Sequence, residues 1–129
     1  MLYTANIKYR GADRIDITVK SGEGIIGQLL APTWDMVMQY KRTGDQKVYT
    51  DAYYSLVISR FKYDDLPETK ILRTMVTHAM VDDVTLVCYC KPGDFCHRTL
   101  AVRLIDHNLK AILRLPPTAE KPQIIGGER

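Results

Sequence analysis

The sequence predicts an α/β fold, a single domain in which helices sandwich a mixed sheet in three layers. Three observations predict it. The elements read strand, strand, several helices, strand, helix, strand, an order that suits helices on both faces of a sheet. The segment from Val84 to Cys90 is almost continuously apolar, as a central strand covered on both sides must be. The chain has 129 residues, 46% hydrophobic and 26% charged, which suits one domain with its own core.

Leu2 to Lys8 reads as the first strand, with Tyr3, Ala5, Ile7 and Tyr9 on one face. Gly11 marks a turn. Arg14 to Lys20 alternates, placing Ile15, Ile17 and Val19 together. Ser21 to Gly24 breaks the chain. Pro32 and Thr33 open a helix in which Thr33 serves as the cap, Trp34, Val37, Met38 and Lys41 recur at helical spacing, and Gly44 ends the run. Thr50 or Asp51 is expected to cap a second helix, whose buried stripe is Tyr54, Val57, Ile58 and Phe61. Asp65, with Pro67 in the first turn, opens a third. Its apolar face is Ile71, Leu72, Met75, Val76 and Ala79.

Asp82 and Asp83 precede the central strand. A loop from Lys91 to Asp94 leads to a helix from about Phe95 to His107, packed through Leu100, Ala101, Leu104 and Ile105. Leu109 to Leu115 reads as a last strand, stopped by Pro116-Pro117. The α/β domain is thus bounded at 1–115. The tail at 116–129 either stays off the body or returns as one short strand.

Net charge is +3, with the basic residues scattered and not gathered into a stripe. That excludes a dedicated duplex-DNA surface and leaves room for a small anionic ligand. The start lacks a charged n-region and a long apolar run, and no window reaches the roughly 18 apolar residues of a membrane span. The cysteines number 3, at 88, 90 and 96. An odd, clustered set argues for reduced thiols and a cytoplasmic location.

The chemistry concentrates in Cys88-Tyr-Cys-Lys-Pro-Gly-Asp-Phe-Cys-His-Arg98. A strand that runs through a short loop into a helix is a recurrent ligand site, and the helix start favours phosphate or carboxylate. Cys96, His97 and Arg98 sit on the first helical turn and are the candidate catalytic residues. Cys96 at a helix start is expected to have a depressed pKa, as a nucleophile or a ligand contact. His97 suits a general base or an anion contact. A guanidinium in the first turn opposes the helix dipole, so Arg98 calls for a bound anion or a buried carboxylate. Each has a structural alternative: Cys88 as a small core hydrophobe, Cys96 packed inward, His97 bonded to strand backbone. Cys88, Cys90 and Lys91 complete the candidate pocket. Zinc is weighed through Cys-x-Cys…Cys-His and set aside, because adjacent helical residues point about 100° apart. No metal and no cofactor is expected.

The same block, from Val84 to Arg98, resembles the signature of the domain-of-unknown-function 488 family: a hydrophobic strand ending in Cys, a short loop, then Cys-His-Arg on a helix. Leu2 to Tyr9, Leu30 to Thr33 and Asp51 to Tyr54 are similar to a Cys-Tyr-Cys-Lys subgroup of that family. Many members carry Glu two residues after the first Cys. Cys90 stands there, so no role of that Glu transfers. The resemblance implies a Rossmann-like sandwich with a mostly parallel sheet and a pocket around Cys88, Cys96, His97 and Arg98. Tyr9, Arg10, Thr33 and Tyr53 are added as ligand contacts from their expected nearness to strand ends and helix starts, with Tyr53 and Tyr54 read alternatively as core aromatics.

Three functions fit: an enzyme acting through Cys96 or His97 on a nucleotide or nucleic-acid-derived ligand, a module that binds such a ligand without changing it, and a structural or zinc-stabilised interaction domain. The expected partner is a small anionic ligand, with a nucleotide as the leading candidate.

Overall fold

The computed structural model describes residues 1–22, 24–61, 66–91, 93–107 and 125–129. In chain order the elements are β1 (Leu2–Asn6), β2 (Arg14–Asp16), α1 (Gly24–Leu29), α2 (Trp34–Thr43), α3 (Gln46–Arg60), α4 (Pro67–Ala79), β3 (Val84–Cys88), α5 (His97–His107) and β4 (Ile125–Glu128). The strands form one sheet in the order β2-β3-β1-β4. Every described pairing is parallel, so the expected mixed character gives way to an all-parallel sheet. The register sets Asn6 beside Cys88 and Asp16 beside Val87, so the carboxyl ends of the strands open on one edge.

All five residues of β3 are buried. Successive side chains of a strand point to opposite faces, so both faces of the sheet centre are covered. α5 lies on β1 and β3 and carries α3, against which α2 packs. α4 lies on β3 and α1 on β2, and these two helices touch each other. One core joins them through Leu2, Phe61, Leu72, Val76, Leu86 and Leu104.

Local chemistry explains where the elements start. Thr33 caps α2, as expected, by accepting from the Met36 N–H at 3.2 Å. Gly44 ends α2 in the left-handed region at φ 68°. Asp45 follows at once and caps α3 by accepting from Val48 N–H at 3.1 Å. The expected cap at Thr50 or Asp51 is therefore corrected by one turn or more: Thr50 donates to Gln46 O inside the helix and Asp51 pairs with Lys47. The buried stripe of α3 shifts with it, to Tyr49, Tyr53 and Val57. Its neighbours Tyr54 and Ile58 pack at the edge of the core.

α1 falls where the sequence reading saw only a break. It has six residues and two glycines, too short for a periodic pattern to announce. Gly27 has a packing reason: a Cβ there would lie 2.3 Å from Asp16 O, so only glycine lets α1 press on the end of β2. Arg60 donates to Leu29 O at 2.6 Å and Ala31 O at 2.8 Å, which satisfies carbonyls at the end of α1. The second strand is shorter than its alternation implied, ending at Asp16, while Ile17 continues inward with its N–H on Val87 O. The expected Asp65 cap and the expected strand over Leu109 to Leu115 lie outside the described residues. β4 joins the sheet beside β1.

Candidate active site

The carboxyl edge of the sheet gathers the chemistry-bearing residues. Cys88 closes β3, and Cys96 immediately precedes α5, whose first residues are His97 and Arg98. Asn6, level with Cys88 on the next strand, donates to Cys90 O at 2.9 Å and Tyr89 O at 3.2 Å and so fixes the turn that leaves β3.

Arg98 is completely buried. Its Nη1 donates to Cys88 Sγ at 2.9 Å and Cys90 O at 2.8 Å, and its Nη2 donates to Lys91 O at 2.9 Å. Nε and Nη2 both donate to Glu128 Oε1, at 3.1 and 2.7 Å. Thr4 orients that carboxylate from the other side, donating to Oε2 at 3.0 Å. The guanidinium thus meets the partly exposed carboxylate of Glu128, backbone carbonyls and a sulfur, and every nitrogen has a protein partner. Burial works against its charge, but the Glu128 and Cys88 contacts outweigh that and raise its pKa.

His97 is also buried, and its Nε2 lies 2.7 Å from Ile17 O. A carbonyl oxygen only accepts, so Nε2 carries the hydrogen and Nδ1 keeps its lone pair. Nδ1 lies 3.7 Å from Cys96 Sγ. Burial holds the imidazole pKa below its ordinary value, which keeps Nδ1 available as a base near neutral pH. One consequence is measurable. The unfolded chain takes up the His97 proton first, so this residue's share of stability is present above about pH 6.5 and is lost as pH falls from there through the lower folded-state pKa. Denaturant unfolding at pH 7.5 and 5.5 should show a pH-dependent loss that is smaller in His97→Asn.

The sulfurs are close. Cys88 Sγ and Cys96 Sγ stand 2.6 Å apart, and all three cysteines are free thiols. Hydrogen bonds from the Cys90 and Cys96 thiols, with His97 nearby, hold Cys88 well below the ordinary thiol range against the opposing effect of burial. Contacts with the Cys88 and Cys90 sulfurs, then burial, push Cys96 far above the thiol range, and contact with Cys88 pushes Cys90 up as well. The dipole-acidified thiol expected at Cys96 is thus displaced: the contacts favour the negative charge on Cys88, where Arg98 meets it. Cys88, Cys96 and His97 present ligand atoms within 4.8 Å of one another, a donor set that suits a thiophilic cation.

A cleft of about 710 Å³ opens above this cluster. Cys90, Cys96 and His97 form its floor, while Tyr40, Tyr49 and Phe95 form an aromatic wall. Tyr40 and Phe95 approach to 5.1 Å between ring centres, and Tyr49 and Phe95 to 5.6 Å edge to face. At the rim stand Trp34 and Tyr89, each 53% exposed, with Lys20 and Lys41 beside them. The Trp34 face of α2 therefore turns toward the cleft, and α2 contributes no fully buried residue. Tyr89 is tied to the loop after β2: its hydroxyl lies 3.1 Å from Ser21 Oγ, which donates to Asp16 Oδ2 at 2.6 Å.

The structure brings Cys88, Cys90, Cys96, His97 and Arg98 together. Tyr53 lies beneath them, fully buried, with its hydroxyl donating to Leu30 O at 2.7 Å and its ring 5.8 Å from the imidazole. Burial places it in the core reading and away from the cleft wall. Thr33 uses its hydroxyl on the α2 cap. Tyr9 donates to Asp13 Oδ1 at 2.7 Å and borders a different hollow of about 980 Å³, beside the Val84 end of β3. Arg10 is exposed, and neither it nor Lys91 lines the thiol cleft. Tyr9 and Arg10 sit in the turn that leads away from β1, so their nearness in sequence to a strand end does not carry them to the site.

The sequence offers a carboxylate for Arg98 and a backbone partner for His97 without identifying Glu128 or Ile17, and it gives no account of the cleft walls. No helix among the described residues is long and apolar enough to cross a membrane. No curated protein and no solved structure matches the chain. A family model described as DUF488-N3a, the active DUF488-N3 subclade, matches residues 10–109, most of the chain and the whole thiol cluster, and the chain belongs to the domain-of-unknown-function 488 family.

Proposed function

We propose that the protein is a thiol-dependent enzyme acting on a nucleotide or nucleic-acid-derived ligand bound in the cleft over Cys96. The observation that carries this reading is the Cys96–His97 pair on the floor of an aromatic cleft, with the imidazole tautomer set by Ile17. The aromatic walls suit a planar base. Lys20 and Lys41 at the rim supply the positive charge for phosphate, a task Arg98 does not perform because it is fully engaged inside. The family model's description of the subclade as active agrees with catalysis.

In this reading Cys96 supplies the sulfur that attacks an electrophilic centre of the ligand. Its proton passes to His97 Nδ1, the new bond forms at sulfur, and the departing group leaves with the bonding pair and that proton. Arg98 and the Cys88 thiolate set the charge beneath the nucleophile.

The protein contains a single tryptophan, Trp34, and it stands at the cleft mouth. Titration with adenosine, guanosine, cytidine and uridine mono-, di- and triphosphates, and with short single-stranded oligonucleotides, should change its fluorescence saturably for at least one of them. Lys20→Ala with Lys41→Ala should weaken that binding about tenfold or more, roughly 1.4 kcal/mol. Mass analysis of the bound ligand should show conversion by the wild type and none by Cys96→Ser. Binding with the ligand recovered unchanged would favour a sequestering module. No saturable response to any of these probes would overturn the nucleotide reading.

A further inference from the structure

We propose that Cys88 and Cys96 are a modification site, a thiol pair that a hydroperoxide converts to a reversible disulfide. The pair belongs to the site described above, but this chemistry is independent of any substrate. The two free sulfurs are already 2.6 Å apart, held on the end of β3 and the start of α5. Bond formation therefore needs neither a long loop to close nor an element to move far. Cys96 borders the cleft, beside Cys90, and Cys88 does not, so an oxidant entering there reaches Cys96 before Cys88.

The chemistry balances with the peroxide alone. Cys96 passes its proton to His97 Nδ1, 3.7 Å away. The Cys96 sulfur attacks one peroxide oxygen, the O–O bond breaks, and the alkoxide or hydroxide that leaves takes that proton from His97. Cys96 is then a sulfenic acid. The Cys88 thiolate attacks it, the S–O bond breaks, and the hydroxide that departs takes a proton from water. Two thiols are oxidised by two electrons and one peroxide is reduced.

Reversibility has a structural cause. Arg98 Nη1 donates to the Cys88 sulfur at 2.9 Å, a contact strongest with a thiolate and weakened in a disulfide. The environment thus favours the reduced form and makes the disulfide easy to reduce, as in oxidoreductases whose reduced thiolate is stabilised. Cys90, half-buried beside the pair, is the built-in control.

Hydrogen peroxide on the purified full chain, followed by thiol alkylation and peptide mass spectrometry, tests the proposal without any substrate. The expected product has lost two hydrogens, links Cys88 to Cys96, carries the alkyl label on Cys90, and returns to the starting mass with dithiothreitol. Cys90→Ser should form the same link. Cys88→Ser should instead accumulate sulfenic and sulfinic acid at Cys96. A wild-type protein that goes directly to sulfinic acid, resists oxidation, or links Cys90 in preference to Cys88 would overturn the proposal. None of these readouts depends on whether a nucleotide binds or turns over.

Discussion

Arg98→Ala is expected to lower stability by about 3–5 kcal/mol, the range seen when one partner of a buried charged network is removed. Arg98 is among the largest fully buried side chains of the molecule, and its loss opens a cavity at the junction of β3 and α5. The carbonyls of Cys90 and Lys91 lose a charged donor, and the Cys88 sulfur loses its guanidinium. Arg98→Lys should not restore stability, since one ammonium cannot span five contacts arranged around a planar fork. Glu128→Gln is milder, about 1 kcal/mol or less, because that carboxylate reaches solvent and the amide oxygen still accepts. Urea unfolding of the three variants orders them. An Arg98→Ala midpoint equal to wild type would mean that the guanidinium is not a structural centre, and would return it to the role of a ligand contact.

That placement shows what the sequence could and could not reveal. The family block located the site because a β3 end and an α5 start lie close in sequence, so Cys88, Cys96, His97 and Arg98 meet through local geometry alone. The all-apolar β3 likewise announced a doubly covered central strand. Arg98 in the first turn calls for an anion or a buried carboxylate, and its partner, the partly exposed Glu128, lies thirty residues later on a glycine-rich four-residue strand with little periodicity to detect. The ligand contacts named from sequence proximity fared differently. Thr33 does start a helix, but its oxygen is used by the helix itself. Tyr53 does neighbour the site, but from below, where it is fully buried and its hydroxyl is used on Leu30 O. The cleft walls combine α2, α3, the loop after β2 and the loop after β3, and no single stretch of sequence carries that combination.

The second large effect concerns the charge state of the thiols. Ultraviolet absorbance near 240 nm should report one thiolate per chain at neutral pH, persisting into the acid range because its neighbours hold Cys88 well below the ordinary thiol range. An unperturbed thiol, by contrast, ionises near 8.5. Cys88→Ser should abolish the acid-range signal and leave only absorbance that rises at or above the ordinary thiol range, since Cys96 and Cys90 are both pushed up. Cys90→Ser should move the Cys88 step upward without removing it, because the Cys90 thiol is the largest contributor to that depression. Alkylation adds an independent reading. Iodoacetamide reacts with thiolates, but Cys88 is buried, so the wild type should alkylate slowly despite its ionised sulfur, with half-buried Cys90 modified first. The site separates the two properties a nucleophile needs: Cys88 has the negative charge, while Cys96 has access to the cleft. His97 Nδ1, 3.7 Å from Cys96 Sγ, takes the Cys96 proton as that sulfur attacks. If the titration shows no thiolate below the ordinary thiol range, Cys88 does not hold the negative charge, and the neighbouring thiols do not acidify it.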